Sequence, residues 1–137
     1  WTPPTIAGVR GCMNDPEVTM HRSLPHTGLA AHTKALEAAA ITLKLASRVP
    51  LPFKPIADQA IRAAASVPAN LAEGQGRQGR DRMHHWRIAY GSALEVDTHL
   101  RLLQHATAVN AAESATALAL FDEVRAMTWR LLHPKAA

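Results

Sequence analysis

Apolar residues recur at helical spacing along most of the chain, and interruptions of that spacing divide it into four segments. The first segment begins at Thr27, and its apolar positions are Leu29, Leu36, Ala40, Leu43 and Ala46. Spacings of three, four and seven residues place side chains on one face of an α-helix. Val49–Pro52 contains two prolines, which end the predicted helix because proline lacks an amide hydrogen and disfavours helix in the preceding residue.

The second segment predicts a helix from about Pro55 to about Glu73. Its apolar positions are Ile56, Ala60, Ala64, Val67 and Leu71. Pro68 lies within this stripe, and we expect it to kink the helix without ending it because the stripe continues beyond it. Gly74 and Gly76 are expected to end the helix by adopting positive φ angles.

The third and fourth segments predict helices from about Asp81 to Ala108 and from Asn110 to about Leu132. The third carries Trp86, Ala89, Ala93, Val96, Leu100 and Leu103, a near-heptad repeat typical of helical bundles. The fourth carries Leu118, Phe121, Val124, Thr128 and Leu131, with Asn110 as its predicted N-cap. Four amphipathic helices with short connections predict an all-α, antiparallel up-and-down four-helix bundle over residues 27–133.

Residues 1–26 carry several prolines and glycines without any periodic pattern. Such a composition predicts an irregular N-terminal leader that is disordered or loosely docked. The leader lacks the apolar centre of a signal peptide, and no stretch of the chain is long and apolar enough to predict a membrane span. We therefore expect no membrane association.

Composition supports the helical prediction and narrows the class of function. Hydrophobic residues make up 47% of the chain but aromatic residues only 4%, and much of the remainder is alanine, the strongest helix former. The net charge of +4 suits RNA, DNA or an acidic protein as a partner, although an ordinary solvated surface explains it equally well. Cys12 is the only cysteine, which excludes an internal disulfide and favours the cytoplasm.

One part of the sequence resembles a known family. The matching segments are Asp58-Gln59, Arg62–Ala64, Ser66–Gly74, Gly76-Arg77, Ile88–Ser92 and Glu95–Asp97. In this order they resemble the signature of the proteins encoded in 23S rRNA intervening sequences, also called the S23 ribosomal protein family. Two departures are visible: the first helix is aliphatic where the family is rich in aromatic residues, and His85-Trp86 replaces a Phe-Leu pair.

The resemblance carries expectations that the residues alone do not supply. It implies a four-helix bundle without catalytic activity, cofactor or small-molecule substrate. It also implies assembly into a homo-oligomer, a pentamer in several relatives. The expected partner is RNA, DNA or a nucleic-acid enzyme, because the family includes the accessory variability determinant of diversity-generating retroelements, which binds a reverse transcriptase. A protein-protein assembly scaffold that binds no nucleic acid remains the alternative.

The predicted turn between the second and third helices concentrates positive charge and is the candidate nucleic-acid site. Its basic residues are Arg77, Arg80, Arg82, His84 and Arg87. Arginine guanidinium groups match phosphate oxygens in two parallel hydrogen bonds, and the nearby glycines let a ligand approach the backbone. An ordinary solvated turn explains the same residues equally well.

A second stripe on the predicted second helix is polar. It consists of Gln59, Arg62, Ser66, Asn70 and Glu73, for which Ser92 and Glu95 of the third helix are candidate partners. We favour a structural network or a subunit interface, because buried polar groups need hydrogen-bond partners and such networks specify packing. A binding face is the alternative interpretation.

Other chemistry receives little support from the sequence. Gly74-Gln75-Gly76 lacks the strand and the third glycine of a dinucleotide-binding motif. No metal site is predicted, because His84 and His85, like His99 and His105, project from different helix faces; a metal carrier built from histidines of several helices is the weakest alternative. Large aromatic residues, namely Trp86, Phe121 and Trp129, are expected to be core or interface anchors rather than platforms for base stacking.

Overall fold

A computed structural model describes residues 26–136, with side chains from residue 30 onward. It contains four α-helices: α1 (His26–Ser47), α2 (Lys54–Gln75), α3 (Gly79–His105) and α4 (Ala111–Leu132). A short 3-10 turn, Leu51–Phe53, separates α1 from α2, and no strand occurs between residues 26 and 136. The predicted leader lies outside the described residues, apart from His26, which begins α1.

The four helices form an antiparallel up-and-down bundle, which confirms the predicted fold class. Neighbours pack in the cyclic order α1–α2–α3–α4, and α4 closes the ring against α1. The α2–α3 connection is only three residues long, at 76–78. This turn therefore lies at one end of the bundle, where α4 also ends, and the α1–α2 connection lies at the opposite end. None of the helices in the described chain has a stretch long and apolar enough to cross a membrane.

The helix ends follow local sequence chemistry, with one exception. Asn110 is the N-cap of α4, as predicted: its Oδ1 accepts a hydrogen bond of 3.0 Å from the Glu113 amide. The expectation of positive φ at Gly74 and Gly76 is wrong. Gly74 stays inside α2, Gly76 has a φ of −77°, and the positive φ (+58°) belongs to Gly79, where the chain enters α3. Gly74 packs against Trp86, and Arg82 donates to the Gly74 and Gln75 carbonyls, so this helix end needs no glycine with a positive φ.

The core is formed by the stripes predicted for α2, α3 and α4. The buried members are Ala60, Ala64, Val67, Leu71, Trp86, Ala89, Ala93, Val96, Leu100, Leu103, Leu118, Phe121, Val124 and Thr128. Ile56 and Leu131 are only partly buried, since they lie near the ends of their helices. Pro68 is also buried, and α2 continues through it as expected.

The predicted core face of α1 is largely wrong. Leu36 and Leu43 are 51% and 43% exposed, and Ala40 is exposed as well. Ala46 is buried as predicted, and it lies beside a different stripe: Ala31, Ala35, Ala38, Ala39, Thr42 and Leu45. The small side chains of this stripe let α1 approach α2 and α4 closely, whereas leucines there would hold the helices apart. Leu36 and Leu43 consequently form an apolar face that the described part of the chain leaves exposed.

Candidate nucleic-acid interface

The α2–α3 turn is exposed, as the candidate site requires. Gly76, Arg77 and Gln78 are all exposed, and Gly79 and Arg80 continue the exposed run into α3. The five predicted basic residues do not behave alike. The structure ties two of them to the protein itself and leaves three open to solvent.

Arg77 is held by two carboxylates, one from each helix that flanks the turn. Its Nη2 and Nε lie 2.6 and 2.9 Å from Glu73 Oε1, and its Nη1 lies 2.8 Å from Asp81 Oδ2. The hydrogen bonds to Glu73 and then to Asp81 raise the pKa of the Arg77 guanidinium above its usual value. Arg77 therefore keeps its charge, which the two carboxylates balance, and its side chain holds the turn together.

Arg82 closes the C-terminal end of α2. Its Nε donates to the Gly74 carbonyl at 3.0 Å and its Nη2 to the Gln75 carbonyl at 3.2 Å. The guanidinium carbon also lies 5.5 Å from the centre of the Trp86 ring. The last carbonyls of a helix have no partner within the helix, so these bonds stabilise the end of α2. No carboxylate pairs with Arg82 in the described chain, so its positive charge is not cancelled locally.

The side chains of Arg80, His84 and Arg87 are exposed on one face of α3. Their spacing of four and three residues places them along successive turns. Neither arginine forms a hydrogen bond or an ion pair with any described residue, and His84 makes only an edge-on ring contact with His85. These three groups are free to meet a ligand.

The predicted polar network exists in part, across the α2–α3 interface. Ser66 Oγ and Ser92 Oγ are 2.8 Å apart, and Asn70 Nδ2 donates to the Ser66 carbonyl at 2.9 Å. The other end of the Asn70 amide, Oδ1, lies 3.1 Å from His85 Nδ1. Sequence reasoning missed His85, although its place in a family motif that normally carries Phe was a signal. These contacts fix the register of the two helices.

The other members of the predicted network lie elsewhere. Glu73 pairs with Arg77, and Glu95 lies 3.5 Å from His99 of its own helix. Gln59 and Arg62 are exposed, and within the described residues neither forms a hydrogen bond or an ion pair. Their assignment to a subunit interface stays a prediction.

One further constellation was missed by sequence reasoning. Asp97, whose side chain is 12% exposed, lies 2.7 Å from Arg101 and 3.2 Å from Arg125 of α4, and Arg125 also pairs with Asp122 at 2.6 Å. Asp97 ends the family motif Glu95–Asp97, and its place there was the sequence signal for this cluster.

The aromatic residues also differ from one another in exposure. Trp86 and Phe121 are buried, which confirms them as core residues, whereas Trp129 is 50% exposed and is not part of the core. Its role as an interface anchor stays a prediction.

The structure also explains a glycine in the family motif. Trp86 packs against Gly74, and its Nε1 donates a long hydrogen bond of 3.4 Å to the Leu71 carbonyl. A Cβ atom at Gly74 would lie 2.5 Å from the indole. Gly74 is needed here for close approach, not for backbone conformation.

No group of three or more His, Cys, Asp or Glu side chains comes together as a metal site in the part of the chain that the structure describes. Two histidines have local hydrogen-bond partners instead: Asn70 for His85 and the Trp129 carbonyl for His133. Cys12 lies outside the described residues.

The fold and the site together define a helical bundle with a basic end. The sequence model of the family described as 23S rRNA-intervening sequence protein matches residues 29–130. The chain therefore belongs to the 23S rRNA-intervening sequence protein family, and neither this family nor the structural neighbour below indicates an enzyme.

A solved structure supports the fold. The crystal structure of a protein of unknown function from the S23 ribosomal protein family of Bacteroides thetaiotaomicron superposes with a TM-score of 0.70 at 21% identity, covering 77% of this chain and 97% of that one. At this identity the likeness shows the fold alone. No curated protein matches the chain.

Proposed function

We propose that this protein is a non-enzymatic, homo-oligomeric bundle that binds nucleic acid through the exposed end formed by the α2–α3 turn. The observation that carries the proposal is the distribution of ion pairs at this end. Both carboxylates of the segment 73–87, Glu73 and Asp81, are engaged by Arg77. Three other guanidinium groups, those of Arg80, Arg82 and Arg87, pair with no carboxylate of residues 26–136.

The charge at this end favours a polyanion. Residues 73–87 contain four arginines and two carboxylates, a net charge of +2. Arg80 and Arg87 lie seven residues apart on one helix face, about 10 Å along the axis. Phosphates of an extended strand are spaced closely enough for the two to contact different phosphates of one nucleic acid. The family description, which refers to 23S rRNA, is consistent with an RNA context.

Assembly of several copies would place several basic α2–α3 turns on one particle. Large apolar side chains are exposed on several faces of the bundle, among them Leu36, Leu43, Ile88 and Leu102. Burial of such residues between copies is favourable, and a homopentamer is the assembly that the family resemblance implies. Repetition of a weak basic site around a ring would strengthen its binding through multivalency.

The same exposed residues favour a second candidate function. A protein-protein assembly scaffold would use these apolar faces, with the positive charge incidental. A reverse-transcriptase-type or ribonucleoprotein partner belongs to the first candidate function, because the basic α2–α3 turn would bind it. The cytoplasmic location expected from the single cysteine stays a prediction.

The experiment that separates the candidates measures RNA and DNA binding by fluorescence anisotropy across a salt series. The double variant Arg80→Gln/Arg87→Gln removes two open charges and leaves Arg77 and Arg82, which hold the turn together. The slope of log K against log salt should decrease in magnitude by about 1.4 for a single strand, since each phosphate contact contributes about 0.7.

The matched control is Lys44→Gln/Lys54→Gln, which removes two exposed charges at the opposite end of the bundle. It should leave the salt slope close to that of the wild type. Absence of binding by the wild type at low salt would reject nucleic-acid binding and favour the scaffold. Equal effects of the two double variants would show that the attraction is general and not located at the α2–α3 end.

A further inference from the structure

An open groove lies between α3 and α4. It extends from the middle of the bundle toward the end that carries the α2–α3 turn. Its volume is about 620 Å³, and its lining includes Tyr90, Leu94, Asp122, Arg125, Trp129 and Arg130. Trp129 and Leu94 are 50% and 45% exposed, although both are large apolar residues. Exposed aromatic surface of this kind is unfavourable in water unless something covers it.

Three aromatic side chains at the groove already pack against one another. The Trp129 ring lies on the His133 ring, with centres 3.8 Å apart and planes 28° apart. Tyr90 lies on α3 beside them, with its ring centre 5.8 Å from that of Trp129 and the two planes tilted by 49°. Tyr90 lies on α3 and Trp129 on α4, while His133 is the residue that follows the end of α4. A further flat ring can pack against these rings.

The charges around the rings favour an anion. Arg130 is exposed and has neither a hydrogen bond nor an ion pair within residues 26–136. The carboxylate at the groove, Asp122, is engaged by Arg125 at 2.6 Å, and Arg125 also contacts Asp97. Arg87, three residues before Tyr90, extends the free positive charge along the exposed face of α3 toward the α2–α3 turn.

We propose that this groove binds an unpaired nucleobase of a single-stranded nucleic acid, with the base stacked on the Tyr90–Trp129–His133 rings and the adjacent phosphate on Arg130. The inference rests on the proposed function and deepens it, because it specifies single strands as the ligand class. Aromatic rings accept any base on their faces, while free cations beside them hold the backbone. Bases within a duplex are already stacked and cannot enter the groove.

The test uses fluorescein-labelled RNA dodecamers, single-stranded and duplex, with the full chain. Trp129→Ala should weaken binding of the single strand by about fivefold or more, which is the lower limit measured for stacking on an aromatic side chain. Binding of the duplex should change by less than about twofold, because it uses phosphate contacts only. Trp129→Phe should retain most of the single-strand affinity because it keeps a flat aromatic ring.

Two further variants guard against an indirect effect. Arg130→Gln should reduce the salt slope for the single strand by about 0.7 and leave the helical content unchanged. Leu51→Ala, which shortens an 81% exposed apolar side chain at the opposite end of the bundle, should leave single-strand binding unchanged. The solution mass of each variant is measured by sedimentation equilibrium.

The outcomes separate this inference from the function on which it rests. If the wild type binds neither RNA, the proposed function fails and the groove fails with it. If the wild type binds RNA and Trp129→Ala binds each RNA as tightly as the wild type does, the groove is not the stacking site, although the proposed function stands. If Trp129→Ala lowers the solution mass, the groove is an interface between copies, and the inference is overturned.

Discussion

Replacing Gly74 by alanine tests whether the contact between α2 and α3 depends on the absence of a side chain. The new Cβ would lie 2.5 Å from both Cδ1 and Nε1 of Trp86, and 3.2 Å from the Arg82 carbonyl oxygen. The first two distances are far below van der Waals contact, so the indole has to move. Trp86 is 5% exposed and belongs to the core cluster, so movement of its indole would disturb neighbouring core side chains.

The magnitude follows from three contributions. Overpacking of a well-packed core costs about 1–3 kcal/mol. Displacement of the indole also weakens the hydrogen bond from Trp86 to the Leu71 carbonyl, worth about 0.5–1.5 kcal/mol. The higher helix propensity of alanine returns at most about 1 kcal/mol. Gly74→Ala should therefore reduce the free energy of unfolding by about 0.5–4.5 kcal/mol.

Urea unfolding at a single protein concentration, followed by circular dichroism, measures this difference. Gly91→Ala is the matched control: Gly91 is exposed within α3, and a Cβ there would meet nothing within 4 Å. That variant should be more stable than the wild type by about 0.5–1 kcal/mol, through helix propensity alone.

A double-mutant cycle with Trp86→Phe assigns the cost to its source. The smaller ring should relieve the clash, so the double variant Gly74→Ala/Trp86→Phe should cost less than the sum of the single variants. The reasoning is refuted if Gly74→Ala is as stabilising as Gly91→Ala.

Two other interactions have predictable energies in urea unfolding. Asn110→Ala should cost about 1 kcal/mol because the Glu113 amide loses its acceptor, and Asn110→Asp should restore most of that; an unchanged midpoint for Asn110→Ala would contradict the cap. Asp97→Ala should cost about 1–3 kcal/mol because it removes the inner partner of Arg125, which is 17% exposed. Arg101→Ala removes only an exposed partner of Asp97 and should cost less than about 1 kcal/mol; equal costs would show that the Arg125 contact contributes nothing.

The sequence by itself determined the number of helices, their approximate limits and the buried faces of α2, α3 and α4. These features depend on local chemistry: prolines and caps end helices, and a single apolar stripe leaves no choice of inward face. Asn110 illustrates this, because its side chain acts on the first turn of its own helix. The family match on residues 29–130 agrees with the resemblance that the sequence motifs indicated.

The tertiary structure alone decided which face of α1 is buried. α1 carries two apolar stripes, one with Leu36 and Leu43 and one with Ala31, Ala35 and Ala38. Both stripes have helical spacing, and leucine is more hydrophobic than alanine, so the sequence favours burial of the leucine stripe. The short distance between helices in this bundle instead favours burial of the alanine stripe. Sequence periodicity contains no information on the distance between helices.

The tertiary structure also decided which charges are available for binding. Arg77, Arg80, Arg82 and Arg87 are equivalent in composition, but the path of the turn brings two carboxylates to Arg77 and two carbonyls to Arg82. The groove that contains Tyr90 and Trp129 exists only because α3 and α4 are antiparallel neighbours. The Arg77 ion pairs join residues only four positions apart, and the local path of the turn brings them together. The groove depends instead on distances between residues far apart in the chain, and only the packed bundle sets those distances.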